Sequence, residues 1–364
     1  MSNNTIDATS GWNRLRADYN IGGGLRSDEG VLKRGPNGEH IFDVGAGNDD
    51  VGVAAREGYE NEYAVVVNGE TWYLTRDQLE NATFRLGEGD DQMWVDESVD
   101  VPIHIEGGDG SDIIFNAADQ AQIDTGDGSD WVVNSGNGVD IDTGNGNDAV
   151  WSEGHLNTIR TGAGNDEVVS SGYGNDIDTG DGSDGVWAQG RGNVVNTGRG
   201  RDGVVVQGDH NVVDTGLGND SIHAWGDHNV LGGHFGNDQI VSVGSDNTLV
   251  GDRGHDSIYS EGSRNRIDGG SGRDAIWSRG HLNHITGFTG RDFISSIGHY
   301  NRIDGQGGWD RLQVQGYGNQ VADPEYGFQW HDFGLFDSHF RNSFSSQWSA
   351  GAQQYFGQSY QTFI

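Results

Sequence analysis

Read for its apolar positions, the chain falls into short alternating segments that recur at a fixed interval. One segment sets an aliphatic at its second residue, as in Trp131-Val132-Val133-Asn134 and Ala149-Val150-Trp151-Ser152. The other places one aliphatic between polar neighbours, as in Asp140-Ile141-Asp142-Thr143. Period-2 alternation this short, bounded by Gly-rich turns, predicts β-strands. Both segments return after 18 residues. Marked by the Asp that closes a Gly-x-Gly-x-Asp turn, the copies fall at Asp112, Asp130, Asp148, Asp166, Asp184, Asp202, Asp220, Asp238, Asp256, Asp274, Asp292 and Asp310, with no insertion.

Each position of the repeat has its own character. Two residues after the Asp comes an aliphatic (Ile114, Val132, Val150, on to Leu312), and two further a small residue such as Ser152 or Ala188. Nine after the Asp comes Asn, from Asn157 to Asn319. Seven before it is a second aliphatic, as at Ile123, Ile141 and Ile159. Two strands and two turns per copy predict one coil of a two-sided parallel β-solenoid, all-β and β-roll-like, with coils stacked at about 4.8 Å. Inward positions are aliphatic or small. The Asn amides are placed to bond the backbone of the next coil, a structural role.

Weaker copies at Asp49 and Asp91 extend the solenoid to about 14 coils over residues 42–321. Residues 54–83 interrupt it, and Asn68-Gly69 between apolar runs predicts a β-hairpin insertion. The interval from Asp91 to Asp112 is 21, so three extra residues lie near Pro102. Residues 1–41 read as an N-terminal cap or leader. In the tail, 322–364, Phe336, Phe340, Phe344 and Trp348 fall four apart, which predicts an amphipathic helix.

Composition changes the picture in three ways. Hydrophobic residues are only 33%, too few for a broad core but consistent with a narrow one. The formal charge is −35, which excludes nucleic acid as a partner and calls for cations to relieve self-repulsion. There is no Cys, no apolar run of membrane-spanning length and no apolar h-region at the N-terminus, so no membrane span or cleaved signal is expected.

At "TGDGSDWVV", "TGNGNDAVW" and "TGAGNDEVV" the chain resembles the RTX, or haemolysin-type, calcium-binding repeat family. That resemblance implies several Ca2+ ions held between the turns of adjacent coils, by Asp carboxylates and main-chain carbonyls. Here only one of the two turns per coil keeps Gly-x-Gly-x-Asp; the other is Gly-x-x-Asn. A single column of sites on one edge is therefore implied. Its ligands would be Asp49, Asp91, Asp112, Asp130, Asp148, Asp166, Asp184, Asp202, Asp220 and Asp238, with the carbonyls of Gly110, Gly128, Gly146, Gly164 and Gly182. Oxygen-only donors of this kind suit Ca2+. Later turns carry Arg199, Arg201, Arg253, Arg273 and Arg291, and lose a Gly at His234, Asp252, Phe288 and Gln306, so calcium is expected chiefly in the first half.

Three residues after each Asp lies an outward position that is often apolar. Trp151, Trp187, Tyr259 and Trp277 mark this stripe as an interaction surface for a protein, a glycan or a second copy, unless the tail or the insertion covers it. The Asp row at 124, 142, 178 and 214 is uniform, as a solvated face is, and no catalytic residue is assigned. The histidines near the Asn turns lack chelate spacing. The expected function is a secreted, bacterial, calcium-binding scaffold that folds on meeting calcium outside the cell. It would leave by type I secretion with the tail as an uncleaved signal. A type III secreted effector or harpin-like protein is one alternative, and a polysaccharide-active lyase- or epimerase-like β-helix enzyme is another.

Overall fold

The computed structural model describes residues 32–35 and 40–322. It is a parallel β-solenoid of about 13 turns, with one 18-residue repeat per turn along the main array. Each turn gives one strand to sheet A and one to sheet B, and each sheet is 16-stranded. Neighbouring coils pair in parallel at a shift of 18 residues. In sheet A, Ile123 lies against Ile141 and Ile141 against Ile159. In sheet B, Val132 lies against Val150 and Val150 against Val168.

The interior is therefore two aliphatic ladders facing each other, closed by polar ones. Val132, Val150 and Val168 from sheet B, and Ile123, Ile141 and Ile159 from sheet A, are all buried. The small position carries Asn, Ser, Ala or Val; Asn116 Nδ2 bonds along the axis to Asn134 Oδ1 at 2.8 Å, and Ser260 Oγ accepts from Asn265 Nδ2 of its own coil at 2.9 Å. The Asn turn works as its spacing predicts. Asn193 N–H donates to Asn211 Oδ1 at 2.8 Å, and Asn211 Nδ2 donates to the Gly190 carbonyl at 3.1 Å. A polar column inside a thin fold is tolerable where its members are bonded, the Asn residues to the coils beside them and the Ser residues to the Asn of their own coil.

The first coils depart from this plan. Strands β1 (Leu32–Arg34) and β2 (His40–Asp43) pair antiparallel at the edge of sheet A. Strand β3 (Asp50–Ala55) opens sheet B and is followed by β4 (Glu62–Val67) and β5 (Glu70–Thr75), each antiparallel to its predecessor. The β4–β5 turn is Asn68-Gly69, with φ of 49° and 84°, a left-handed pair suited to a two-residue hairpin. Helix α1 (Arg76–Glu80) follows, started by a capping box of Thr75 and Gln78, and buries Leu79. Strand β6 (Ala82–Glu88) then returns to sheet A beside β2.

The insertion is thus a hairpin, but it prolongs sheet B past β3 and does not lie over the outer face. Strands β7 (Gln92–Val95) and β8 (His104–Asp109) resume the solenoid. The three extra residues near Pro102 are absorbed between them, where Val99, Val101 and Ile103 are buried. Phe42 and Phe84 stack at 5.1 Å beneath Trp72, so this end is closed by an apolar plug. Of the expected leader, 1–41, only residues 32–35, 40 and 41 are described, as part of the β1–β2 pair, and the tail helix expected from sequence lies outside the described residues.

Candidate metal centre

The Asp turns build one edge of the solenoid. In Thr125-Gly126-Asp127-Gly128-Ser129-Asp130 both glycines have positive φ, 95° and 155°. A Cβ at 128 would fall 1.6 Å from the Gly110 carbonyl oxygen of the coil before it. Only Gly lets the turns stack this closely, and the stacking lines main-chain carbonyls up along the edge. The final Asp of each turn points inward. Asp112 N–H donates to Asp130 Oδ1 at 2.8 Å, Asp130 N–H to Asp148 Oδ1 at 2.9 Å, and Asp148 N–H to Asp166 Oδ1 at 2.9 Å. The same bond runs in unbroken sequence from Asp49 to Asp310, and it joins Asp49 to Asp91 across the insertion.

The second oxygen of these carboxylates has no such partner. Oδ2 of Asp112, Asp130, Asp148, Asp166, Asp184, Asp202 and the neighbouring repeat positions is buried without a hydrogen bond. Burial raises their pKa values, and the next carboxylate in the column adds to the effect. Asp112, Asp238 and Asp274 are pushed up to about 7, and Asp148, Asp184 and Asp202 to about 6. The three highest follow a Gly five residues earlier. Where that residue is Thr, as Thr143 before Asp148, the hydroxyl beside the carboxylate pulls its pKa back down.

A file of buried carboxylates spaced about 4.8 Å apart must bind protons or a cation. The donor set fits a hard cation: orphaned carboxylate oxygens, turn carbonyls, and no sulfur or imidazole in the column. Among the described residues no three His, Cys, Asp or Glu side chains converge on one point. A Ca2+ ion here would therefore be held by carboxylates of successive coils and completed by main-chain oxygens.

A sequence model described as the RTX calcium-binding nonapeptide repeat (4 copies) matches residues 135–168, 207–240 and 243–276. These three stretches of the solenoid carry RTX calcium-binding repeats. No curated protein and no solved structure matches the chain. The RTX matches fall in both halves of the array, although its edge changes chemistry midway. Early turns carry Asp127 and Asn145, hydrogen-bonded across coils at 2.7 Å. A later RTX turn has Arg253 at that position, over the Phe235 ring at 5.0 Å, and has His255 where earlier turns have Ser129 and Asn147. The turn backbone survives this change. His234, Asp252, Phe288 and Gln306 stand where earlier copies have Gly, and hold φ of 65°, 73°, 73° and 62°.

Of the sequence-expected ligands, the structure brings Asp49 through Asp238 into one column and sets the Gly carbonyls beside it. It also continues the column through Asp256, Asp274, Asp292 and Asp310 with the same bonding. The apolar stripe lies on the outer face of sheet B but is less open than its pattern suggests. Trp151, Trp187, Tyr259 and Trp277 are half-buried, and Val205 and His223 in the same row are buried. Rings on adjacent coils shield one another, as Trp277 and Phe293 do at 5.8 Å.

Sequence reasoning missed a third set of axial caps. Beside the Asn turn, Asn137 N–H donates to Asp119 Oδ1 at 2.7 Å, His281 Nδ1 accepts from His299 N–H at 3.1 Å, and His299 Nδ1 accepts from Tyr317 N–H at 3.1 Å. Any side chain with a nearby acceptor serves there. The position varies in residue type and leaves no motif.

Proposed function

We propose that this is a calcium-dependent RTX scaffold, secreted and folded by calcium outside the cell, with no catalytic role. The observation that carries the reading is the column of buried carboxylates from Asp91 to Asp292, each with one oxygen accepting an N–H from the preceding coil and the other buried without a hydrogen bond. In a calcium-poor interior those charges oppose the fold. In a calcium-rich exterior the ion binds the folded state alone and stabilises it. The half-buried aromatic row of Trp151, Trp187, Tyr259 and Trp277 supplies the surface presented to a protein or glycan. Residues 42–321 form the working unit, with 1–41 and 322–364 as flanking segments for export or cover.

Far-UV circular dichroism during a calcium titration of the chelated full-length chain tests this, with magnesium as control. A saturable coil-to-β transition given by calcium and not magnesium is expected. A β-spectrum that ignores the chelator would mean that the solenoid stands on its hydrogen-bonded ladders alone, and would remove the calcium-gated step.

A further inference from the structure

The outer face of sheet A carries a row of side chains whose chemistry is antisymmetric about its middle. The row is set by the strand register, which places positions 104, 122, 140, 158 and so on to 320 in one line. Toward the N-terminal end it holds Asp140 and Asp176, both exposed. At the centre stand Val194, Val212 and Val230, 43%, 41% and 44% exposed, an apolar patch on an open face. Toward the C-terminal end it holds Arg266, His284 and Arg302.

We propose that two copies of this chain pair face to face through sheet A with their solenoid axes antiparallel. The two-fold axis runs along the strands, midway between the coils of Val212 and Val230. Such an axis keeps the row opposite itself and reverses its order. Val212 then meets Val230, Val194 meets Thr248, Asp176 meets Arg266, Thr158 meets His284 and Asp140 meets Arg302. The two-fold doubles every one of these contacts. Gln122 and Gln320 close the two ends.

Three observations favour a second copy over another occupant. The complementarity is internal to the row, running over the twelve coils from Gln122 to Gln320 and leaving exposed His104 unopposed. The apolar patch sits on the axis, where an isologous contact is driest. The face offers about 55 Å by about 10 Å per copy, so about 1,100 Å2 in total, near the lower bound for a specific interface. The second row of this face is not self-complementary, since Asp142 would oppose Asp304 and Asp178 would oppose Asp268. Asp304, however, is turned back to accept the Gln306 N–H at 3.1 Å. Asp140 keeps 54% of its side chain exposed despite its 2.7 Å pair with Arg160. At physiological salt, screening over about 8 Å leaves the contact pairs to decide against the net charge.

Sedimentation velocity of the full chain, in calcium buffer at physiological salt, gives the test. The wild-type chain is expected to dimerise at micromolar concentration. The Asp140→Arg/Asp176→Arg chain and the Arg266→Asp/Arg302→Asp chain should each dimerise at least about 100-fold more weakly, because like charges then face each other. Mixed in equal amounts, the two should form a heterodimer, since every reversed pair is again opposite in sign. Circular dichroism verifies that each variant keeps its β-spectrum. If one does not, Val212→Arg/Val230→Arg probes the same axis and should also be monomeric. A wild-type monomer, a dimer that survives both reversals, or a mixture that stays monomeric would each overturn the proposal.

Discussion

At the scale of single residues, each repeat Asp has two separable roles. Asp148 Oδ1 accepts the Asp130 N–H at 2.9 Å, which is a hydrogen-bonding role that needs no charge. Asp148 Oδ2 is buried and unbonded, and burial pushes the group up to about 6, which is an electrostatic liability that only a cation or a proton relieves. Asp148→Asn keeps the acceptor and deletes the charge. In chelator it is expected to stabilise the solenoid by about 1–2 kcal/mol, and in calcium to move the midpoint of the titration to higher calcium. Asp148→Ala removes both and leaves the Asp130 N–H buried without a partner. It should destabilise by about 1–3 kcal/mol with or without calcium. Denaturant melts of the two variants in chelator separate the roles, and equal destabilisation by both would show that the charge carries no penalty.

At the scale of the coil, stability is a sum over repeats that touch only their neighbours. Deleting residues 167–184 removes one whole coil and joins Asp166 to Gly185 in the register that Asp184 had. The shortened chain should keep its β-spectrum and lose a few degrees in melting temperature. Deleting only 167–175 sets an Asp turn where an Asn turn belongs, and that chain should fail to fold. If both deletions fold alike, the two edges are interchangeable. The coil was legible in the sequence because its two aliphatics, its Asp and its Asn recur at one interval. Less legible were features set by geometry between coils. The left-handed residue before each Asn is Gly at 174, 192 and 318, but Leu at 156 and 282 and His at 210 and 228, all with φ between 58° and 71°. No residue type marks it, since the stack around it fixes its conformation. The hairpin at β4–β5 was legible, but its placement was not, because a free edge at β3 competes with the outer face for its backbone hydrogen bonds. The stripe of Trp151, Trp187, Tyr259 and Trp277 read as open because alternation reports only which way a side chain points. How far rings about 4.8 Å apart cover one another is a property of the stack.

At the scale of the whole molecule, the column makes pH and calcium alternative ways to satisfy one set of charges. The folded-state pKa values of Asp112, Asp238 and Asp274 lie at about 7, and those of Asp148, Asp184, Asp202, Asp256 and Asp292 at about 6. An unfolded Asp titrates near 3.9. Because the folded values are raised, the folded chain binds more protons than the unfolded chain across the interval between them. The stability linked to those protons is fully present below about pH 4 and is lost as pH rises through 6 to 7. In chelator the solenoid should therefore melt higher at pH 5 than at pH 8, by roughly 10 °C or more for so many linked groups. Calcium reverses the trend, because it needs the ionised carboxylates that protons occupy. Its stabilising effect should be large at pH 8 and small at pH 5. Thermal melts followed by circular dichroism at the two pH values, each with calcium and with chelator, give the four numbers required. A chelated chain that melts at the same temperature at pH 5 and pH 8 would mean that its buried carboxylates do not depend on protons for their stability. The orphaned oxygens could then no longer be the reason for the solenoid to take up an ion.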